Sequence, residues 1–184
     1  MGLSDQTGRE GAVVCLGYFD GVHLGHQALL KAGRERADAL GLPLLAHTFD
    51  RAPQHKDMAL TDLKERKRLL LRYGADGVFV SPFDDAMRRM SGEDFFRDIL
   101  LRELGAKHLV CGHDHRFGYG GQCDTAALHR MCGESGTGLT VVPDVTVDGL
   151  RVSSTAIREA LARGDTALAE RMLGRPVISA VHME

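Results

Sequence analysis

The chain has 184 residues, about one domain's worth, and at that size roughly 70% of the unfolded surface leaves water on folding. Hydrophobic residues make up 43% and charged residues 26%, which excludes a disordered, collagen-like or disulfide-dense chain. A net charge of −2 leaves no electrostatic footprint for nucleic acid or an anionic membrane.

Ala12–Leu16 (AVVCL) reads as a buried strand. A turn-rich stretch, Gly17-Tyr18-Phe19-Asp20-Gly21, follows it. The pattern then turns helical from His23 to Leu40, with His26, Leu29, Leu30, Gly33, Ala37 and Leu40 on one face and Gly41 just past the end. Leu42–Phe49 is the second strand, and Arg51–Leu60, with Pro53, is a loop. A helix is expected over Thr61–Tyr73, capped by Thr61 and stopped by Gly74.

Gly77–Val80 is the third strand. Ser91 with Asp94 forms a capping box for a helix running to about Glu103, with Phe95 and Ile99 inward. Lys107–Cys111 is the fourth strand, Thr125–Gly133 a helix and Leu139–Val142 the fifth strand. Asp148-Gly149 signals a turn. Ser153 or Ser154 caps a helix to Arg163, and Asp165 caps another to Leu173, closed by Gly174 and Pro176. Strands alternating with helices predict an α/β fold, a doubly wound five-stranded parallel sheet with right-handed crossovers. Ligands of such sheets sit beyond the carboxyl ends of the strands, so function is sought in the loops after Leu16, Phe49 and Cys111.

No apolar run approaches the ~18 residues of a membrane helix, and the polar segment Met1–Glu10 shows no secretory signal. Cys15, Cys111, Cys123 and Cys132 form no CxxC pair, which points to reduced thiols and a cytoplasmic setting.

Three loops carry the chemistry. In the first, His23 and His26 lie three residues apart at a helix start, among free backbone N–H groups that favour anions. Their imidazoles can donate hydrogen bonds to phosphate oxygens, and Gly25 lets a ligand approach the backbone. Asp20 is either a buried turn-former or a group that orients a histidine, the second being favoured. Near the C-terminus, Ser153, Ser154 and Thr155 offer hydroxyls and helix amides to one side of a polyanion, and Arg158, one turn on, adds a guanidinium. The third loop, Gly112 to Gly121, combines Asp114 and Phe117 with glycines that permit a ligand close approach to the backbone.

The string GYFDGVHLGH contains the nucleotidyltransferase signature HxGH. It resembles the adenylyltransferase module of bacterial FAD synthetases, which usually reads GxFDGxHxGH. Val152–Asp165 is similar to that family's (I/V)SSTxIRxxLxxGD, and Met172-Leu173-Gly174-Arg175-Pro176 resembles its closing LLGRP. The resemblance spans about Ala12 to Pro176. It implies a Rossmann-like nucleotidyltransferase fold and transfer of AMP from ATP to FMN, giving FAD and pyrophosphate, with Mg²⁺ accompanying the nucleotide.

On this resemblance His23, His26 and Arg158 are the catalytic residues. Gly17, Phe19, Asp20, Gly25, Gly112, Ser153, Ser154 and Thr155 line the ATP site. Phe49, Asp114 and Phe117 line the flavin site. The sequence departs from the family at His115, where the family has Phe, and at Thr48-Phe49-Asp50-Arg51-Ala52-Pro53 in place of TFxPHP.

Three alternatives stay open: a nucleotidyltransferase acting on another phosphate ester, a flavin- or nucleotide-binding module without catalysis, and a transition-metal site drawn from His23, His26, His113, Asp114 and His115. The last is disfavoured because glycine- and serine-rich anion cradles are not metal cages. ATP and FMN are the expected partners, with neither nucleic acid nor membrane. Residues 1–184 are read as one nucleotidyltransferase domain with core 12–176 and no riboflavin kinase domain; Val177–Glu184 look like the first strand of one, cut short.

Overall fold

A computed structural model describes residues 11–53 and 59–177. The N-terminal segment Met1–Glu10, part of the loop before Thr61 and the segment after Val177 therefore lie outside the described residues. Five parallel strands form one sheet in the order β3-β2-β1-β4-β5: β1 (Ala12–Leu16), β2 (Leu44–Phe49), β3 (Gly77–Ser81), β4 (Ala106–Gly112) and β5 (Gly138–Val142). The chain winds outward from β1 in one direction to β3, then returns to β4 on the other side, so the switch point lies between β1 and β4.

Alternation along β1 divides the core. Val13 and Cys15 face α1 (Leu24–Leu40) and α2 (Leu63–Arg72), packing on Leu30, Ala37, Leu69 and Leu70. Ala12, Val14 and Leu16 face the opposite layer, where Phe95, Leu100, Leu128 and Met131 close a second core. A sheet buried on both faces reads as the continuous apolar runs seen in β1 and β4. Cys15 and Cys111 are such core residues, and burial pushes each thiol up to about 12.

The expected helices are present, with local differences. α1 buries Leu29, Leu30, Gly33 and Ala37, whereas Leu40 is 49% exposed in the last turn. Asp62, not Thr61, caps α2 through the Glu65 N–H. A short α3 (Asp85–Arg89), capped by Asp84, occupies a stretch for which the sequence suggested nothing. Ser91 caps α4 (Gly92–Asp94) as the capping box implied, but the helix continues as a π-helix over Phe95–Glu103. That winding buries Phe95, Phe96 and Leu100 and leaves Ile99 only partly buried against the same core. α5 covers Thr125–Ser135.

The Asp148-Gly149 turn joins a small hairpin, β6 (Thr146–Val147) and β7 (Leu150–Arg151), with both turn residues at positive φ. α6 (Ser154–Ala162) and α7 (Thr166–Leu173) form a separate apolar cluster that reaches Leu24 and Leu60. Gln27 fastens this pair to α1, donating to the carbonyls of Val22 and Leu173, each at 2.9 Å. The start of α6 is thereby carried to the end of β1. No helix among the described residues is long and apolar enough to cross a membrane.

Candidate active site

The loop leaving β1 is strained and heavily anchored. Phe19 and Val22 adopt positive φ of 61° and 41°, a region costly for a bulky or β-branched side chain. Gly21 sits at φ 79°, and a Cβ there would lie 2.8 Å from Leu60 Cδ1. The Gly21 N–H donates to Thr61 Oγ1 at 3.1 Å, and the Thr48 hydroxyl donates to the Tyr18 carbonyl at 2.8 Å. Asp20, 5% exposed, accepts the N–H groups of Leu60 (2.8 Å) and Thr61 (3.1 Å) on Oδ1. Its Oδ2 takes Arg158 Nη1 at 2.7 Å. These contacts correct the expectation that Asp20 orients a histidine: its carboxylate is spent on Arg158 and on the turn before α2.

The two motif histidines are stacked, with ring centroids 3.7 Å apart and planes 17° from parallel. His23 is the N-cap of α1, its Nδ1 accepting the His26 N–H at 3.4 Å. An accepting Nδ1 puts the ring proton of the neutral form on Nε2. Burial lowers the His23 pKa to about 4, helped by the positive charges of Arg175 and Arg151. Burial, with His23 beside it, also holds His26 well below the ordinary imidazole value. Both rings are therefore neutral at pH 7, each a hydrogen-bond donor without a charge of its own. Gly25 is fixed by this stack, because a Cβ would press on the His23 ring at 3.1 Å. The amides of Leu24 and Gly25, in the first turn of α1, have no intrahelical partner.

The second candidate anion cradle is the start of α6. Ser153 is its N-cap and accepts the Ala156 N–H at 3.1 Å, so the Ser153 hydroxyl proton remains free to donate. The Ser154 hydroxyl donates to the Asp20 carbonyl at 2.9 Å, tying the cradle to the first loop. Thr155 is exposed, and with Ser154 it presents first-turn amides.

Both helix starts open on one cavity of about 430 Å³, whose lining includes Gly17, His23, Gly25, His26, Gly112, Asp114, His115 and Ser153–Thr155. That volume suits a nucleotide-sized ligand. A smaller cavity of about 150 Å³ adjoins it, sharing His26 and Ser154 and adding Phe19, Asp20 and Arg158. Twelve expected residues thus meet at the switch point: Gly17, Phe19, Asp20, His23, Gly25, His26, Gly112, Asp114, Ser153, Ser154, Thr155 and Arg158.

Phe49 and Phe117 stand apart from both cavities. Phe49 packs edge-on against His47 and Phe83. Phe117 is 7% exposed and lies in the core beside Phe95 and His115, so its ring face is covered by protein. Asp114 lies at the cavity rim, paired with Arg151, which also bonds Asp144 at 2.8 Å. Burial pushes the Asp114 carboxyl up, but Arg151 outweighs it and the net shift is downward. Among the described residues, no three or more His, Cys, Asp or Glu side chains converge as a metal site.

Sequence reasoning missed Thr61 and Arg151. The signal for Thr61 was present: Asp62 is an equally good cap, which frees the threonine to face Asp20. Arg151 stands two residues before the Ser153 cradle, and only the return of the β6–β7 hairpin brings it to Asp114.

The FAD synthetase family model matches residues 5–156. The bifunctional riboflavin kinase/FMN adenylyltransferase of Escherichia coli K12 is 38% identical over 179 residues, covering 93% of this chain and 56% of that protein. The one from Pseudomonas fluorescens is 39% identical over 173 residues, covering 90% and 55%. The chain therefore spans about half the length of these relatives. A putative bifunctional riboflavin kinase/FMN adenylyltransferase of Geobacillus thermodenitrificans is 35% identical over 173 residues, covering 92% of this chain and 93% of that one. A crystal structure of a Streptococcus pneumoniae protein, described as a macrolide-efflux protein, superposes with a TM-score of 0.82 at 28% identity, covering 91% of this chain and 56% of that one. With the family model over residues 5–156 and relatives at 35–39% identity, the chain belongs to the FAD synthetase family.

Proposed function

We propose that this protein is an FMN adenylyltransferase: it transfers AMP from ATP to the phosphate of FMN, giving FAD and pyrophosphate. The observation that carries this reading is the convergence of two helix starts, one bearing stacked neutral histidines and the other three hydroxyl residues, on one nucleotide-sized cavity. The curated relatives named FMN adenylyltransferases support it.

In this reading the FMN phosphate, close to a dianion at neutral pH, attacks the ATP α-phosphorus in line, and the bond to the bridging oxygen of the β-phosphate breaks. Catalysis is mainly positioning and stabilisation of charge. His23 and His26 donate to the α-phosphoryl oxygens as charge grows there. Neutral rings suit this role, since they neither demand a counter-ion in the empty site nor need to lose a proton. The Ser153 hydroxyl, the α6 amides and Arg158 hold the departing β,γ-phosphates, with Asp20 fixing the guanidinium. No covalent enzyme intermediate is required.

Mg²⁺, when bound, neutralises part of the triphosphate charge. Asp20 and Asp114 are already committed to arginines, so the ion would be held by the nucleotide phosphates and water more than by these carboxylates. A cytoplasmic setting fits the four free, buried cysteines.

Incubation with ATP, Mg²⁺ and FMN, followed by chromatography, should show FAD and pyrophosphate in equal amounts. The burial of Phe117 in the core, with the departures at Ala52 and His115, favours one second reading, in which the acceptor is another phosphate ester. No FAD, but ATP-dependent adenylation of such an ester, would replace the first reading with the second.

A further inference from the structure

Arg66 is the largest fully buried side chain among the described residues, 1% exposed, yet its contacts among them are a carbonyl and a ring rather than a carboxylate. Its Nη2 donates to the Phe49 carbonyl at 2.6 Å, at the end of β2. Its Cζ lies 4.2 Å from the centroid of the Tyr18 ring, and its buried Nε has no hydrogen-bond partner among the described residues. Burying a guanidinium this deeply is expensive, and a cation over an aromatic face recovers part of that cost. The arrangement holds Tyr18 from two sides, because its carbonyl also receives the Thr48 hydroxyl. The phenol hydroxyl, in contrast, hydrogen-bonds none of the described residues.

Tyr18 lines the smaller cavity together with Asp20, His26, Ser154 and Arg158. Arg158 borders this cavity and not the larger one. A polyanion lying across the shared His26 and Ser154 therefore brings its terminal phosphates beside Arg158 and Tyr18.

We propose that Tyr18 is a further phosphate-contacting residue of this site, donating its hydroxyl to the β,γ-phosphates and to the departing pyrophosphate, and that Arg66 is the positioning residue that holds its ring. The proposal rests on the adenylyl-transfer reading for its ligand. The Arg66 guanidinium draws electron density from the ring, which makes the phenol a better donor to a phosphoryl oxygen. Position and donor strength come from the same contact.

The test is calorimetric titration of the full chain with magnesium pyrophosphate and, separately, with AMP, which lacks the β,γ-phosphates. Tyr18→Phe removes one oxygen and keeps the ring on Arg66. It should weaken pyrophosphate about tenfold, the scale of a hydrogen bond to a charged group, and leave AMP binding and the melting temperature unchanged. Arg66→Met should weaken pyrophosphate as well, Arg66→Lys should restore most of it, and the Tyr18→Phe/Arg66→Met double variant should bind no worse than Tyr18→Phe. Unchanged pyrophosphate binding in Tyr18→Phe overturns the proposal, and so does an equal loss for both ligands. A wild-type chain that makes no FAD from ATP and FMN sinks the adenylyl-transfer reading, while the pyrophosphate titration still judges Tyr18 on its own.

Discussion

Asp20 divides its two carboxylate oxygens between two tasks. Oδ1 gathers the backbone before α2, and Oδ2 fixes Arg158. The pair is largely buried, at 7% and 18% side-chain exposure, so removing one partner leaves an uncompensated charge. Asp20→Asn should lower kcat/KM for ATP by about tenfold or more and also lower the melting temperature: its amide oxygen still accepts the Leu60 and Thr61 N–H groups, but the neutral amide leaves the largely buried Arg158 charge uncompensated. His26→Ala acts differently. Its ring is a donor at the cavity rather than a link between elements, so turnover should fall at least about tenfold, with a smaller change in stability. Steady-state kinetics alongside thermal melts separate the two patterns, and unchanged turnover in His26→Ala would remove the role given to it. The sequence named Asp20 but not its partner, because its contacts at Thr61 and Arg158 lie 41 and 138 residues away.

Helix starts are the working elements of this site. α1 and α6 both begin at the switch point, one capped by an imidazole and the other by a hydroxyl. At α6 the cap uses only one end of its side chain: Ser153 Oγ accepts the Ala156 N–H while its proton stays available. Ser153→Ala should cost about 1 kcal/mol of stability through the lost cap and raise KM for ATP. Ser153→Asp should keep the stability, because aspartate also caps, and still raise KM, because its charge opposes phosphate. Denaturant melts with ATP titrations check both, and a Ser153→Asp variant with wild-type ATP affinity would show that the hydroxyl proton is not used. Every sheet strand and every helix but α3 was legible from periodicity and caps. The π-helical winding of Phe95–Glu103 was not, since it depends on how Phe95, Phe96 and Leu100 settle against β1 and β4.

For the whole molecule, buried histidines link folding to pH. Burial lowers His23, His47 and His115 to about 4 and holds His26 well below its ordinary value. An unfolded histidine binds a proton near pH 6.5, so below that pH the unfolded chain binds more protons than the folded one. Stability is thus full above about pH 6.5 and declines as pH falls toward 4. Urea melts at pH 7.5 and 5 should show a clearly lower midpoint at the acid value. His115→Phe should flatten this decline and raise stability at pH 7, because it removes both a titrating group and a buried Nε2 with no partner among the described residues. An unchanged pH dependence in that variant would show that His115 contributes none of it.

The sequence by itself determined the order of the five sheet strands and of the helices other than α3, the parallel sheet and the positions of both candidate anion cradles, because periodicity, caps and strand-to-helix loops are local properties. It also indicated where ligands bind, since any doubly wound sheet opens at the switch point. Only the tertiary structure decided which groups meet there. It joined Asp20 to Arg158, moved Thr61 from helix cap to loop anchor, stacked the two histidines as neutral rings and put Arg66 under Tyr18. It also gave Phe117 to the core instead of the cavity. Local sequence sets backbone direction, whereas partners for buried charges and rings are chosen by distant segments that must pack into the same small volume.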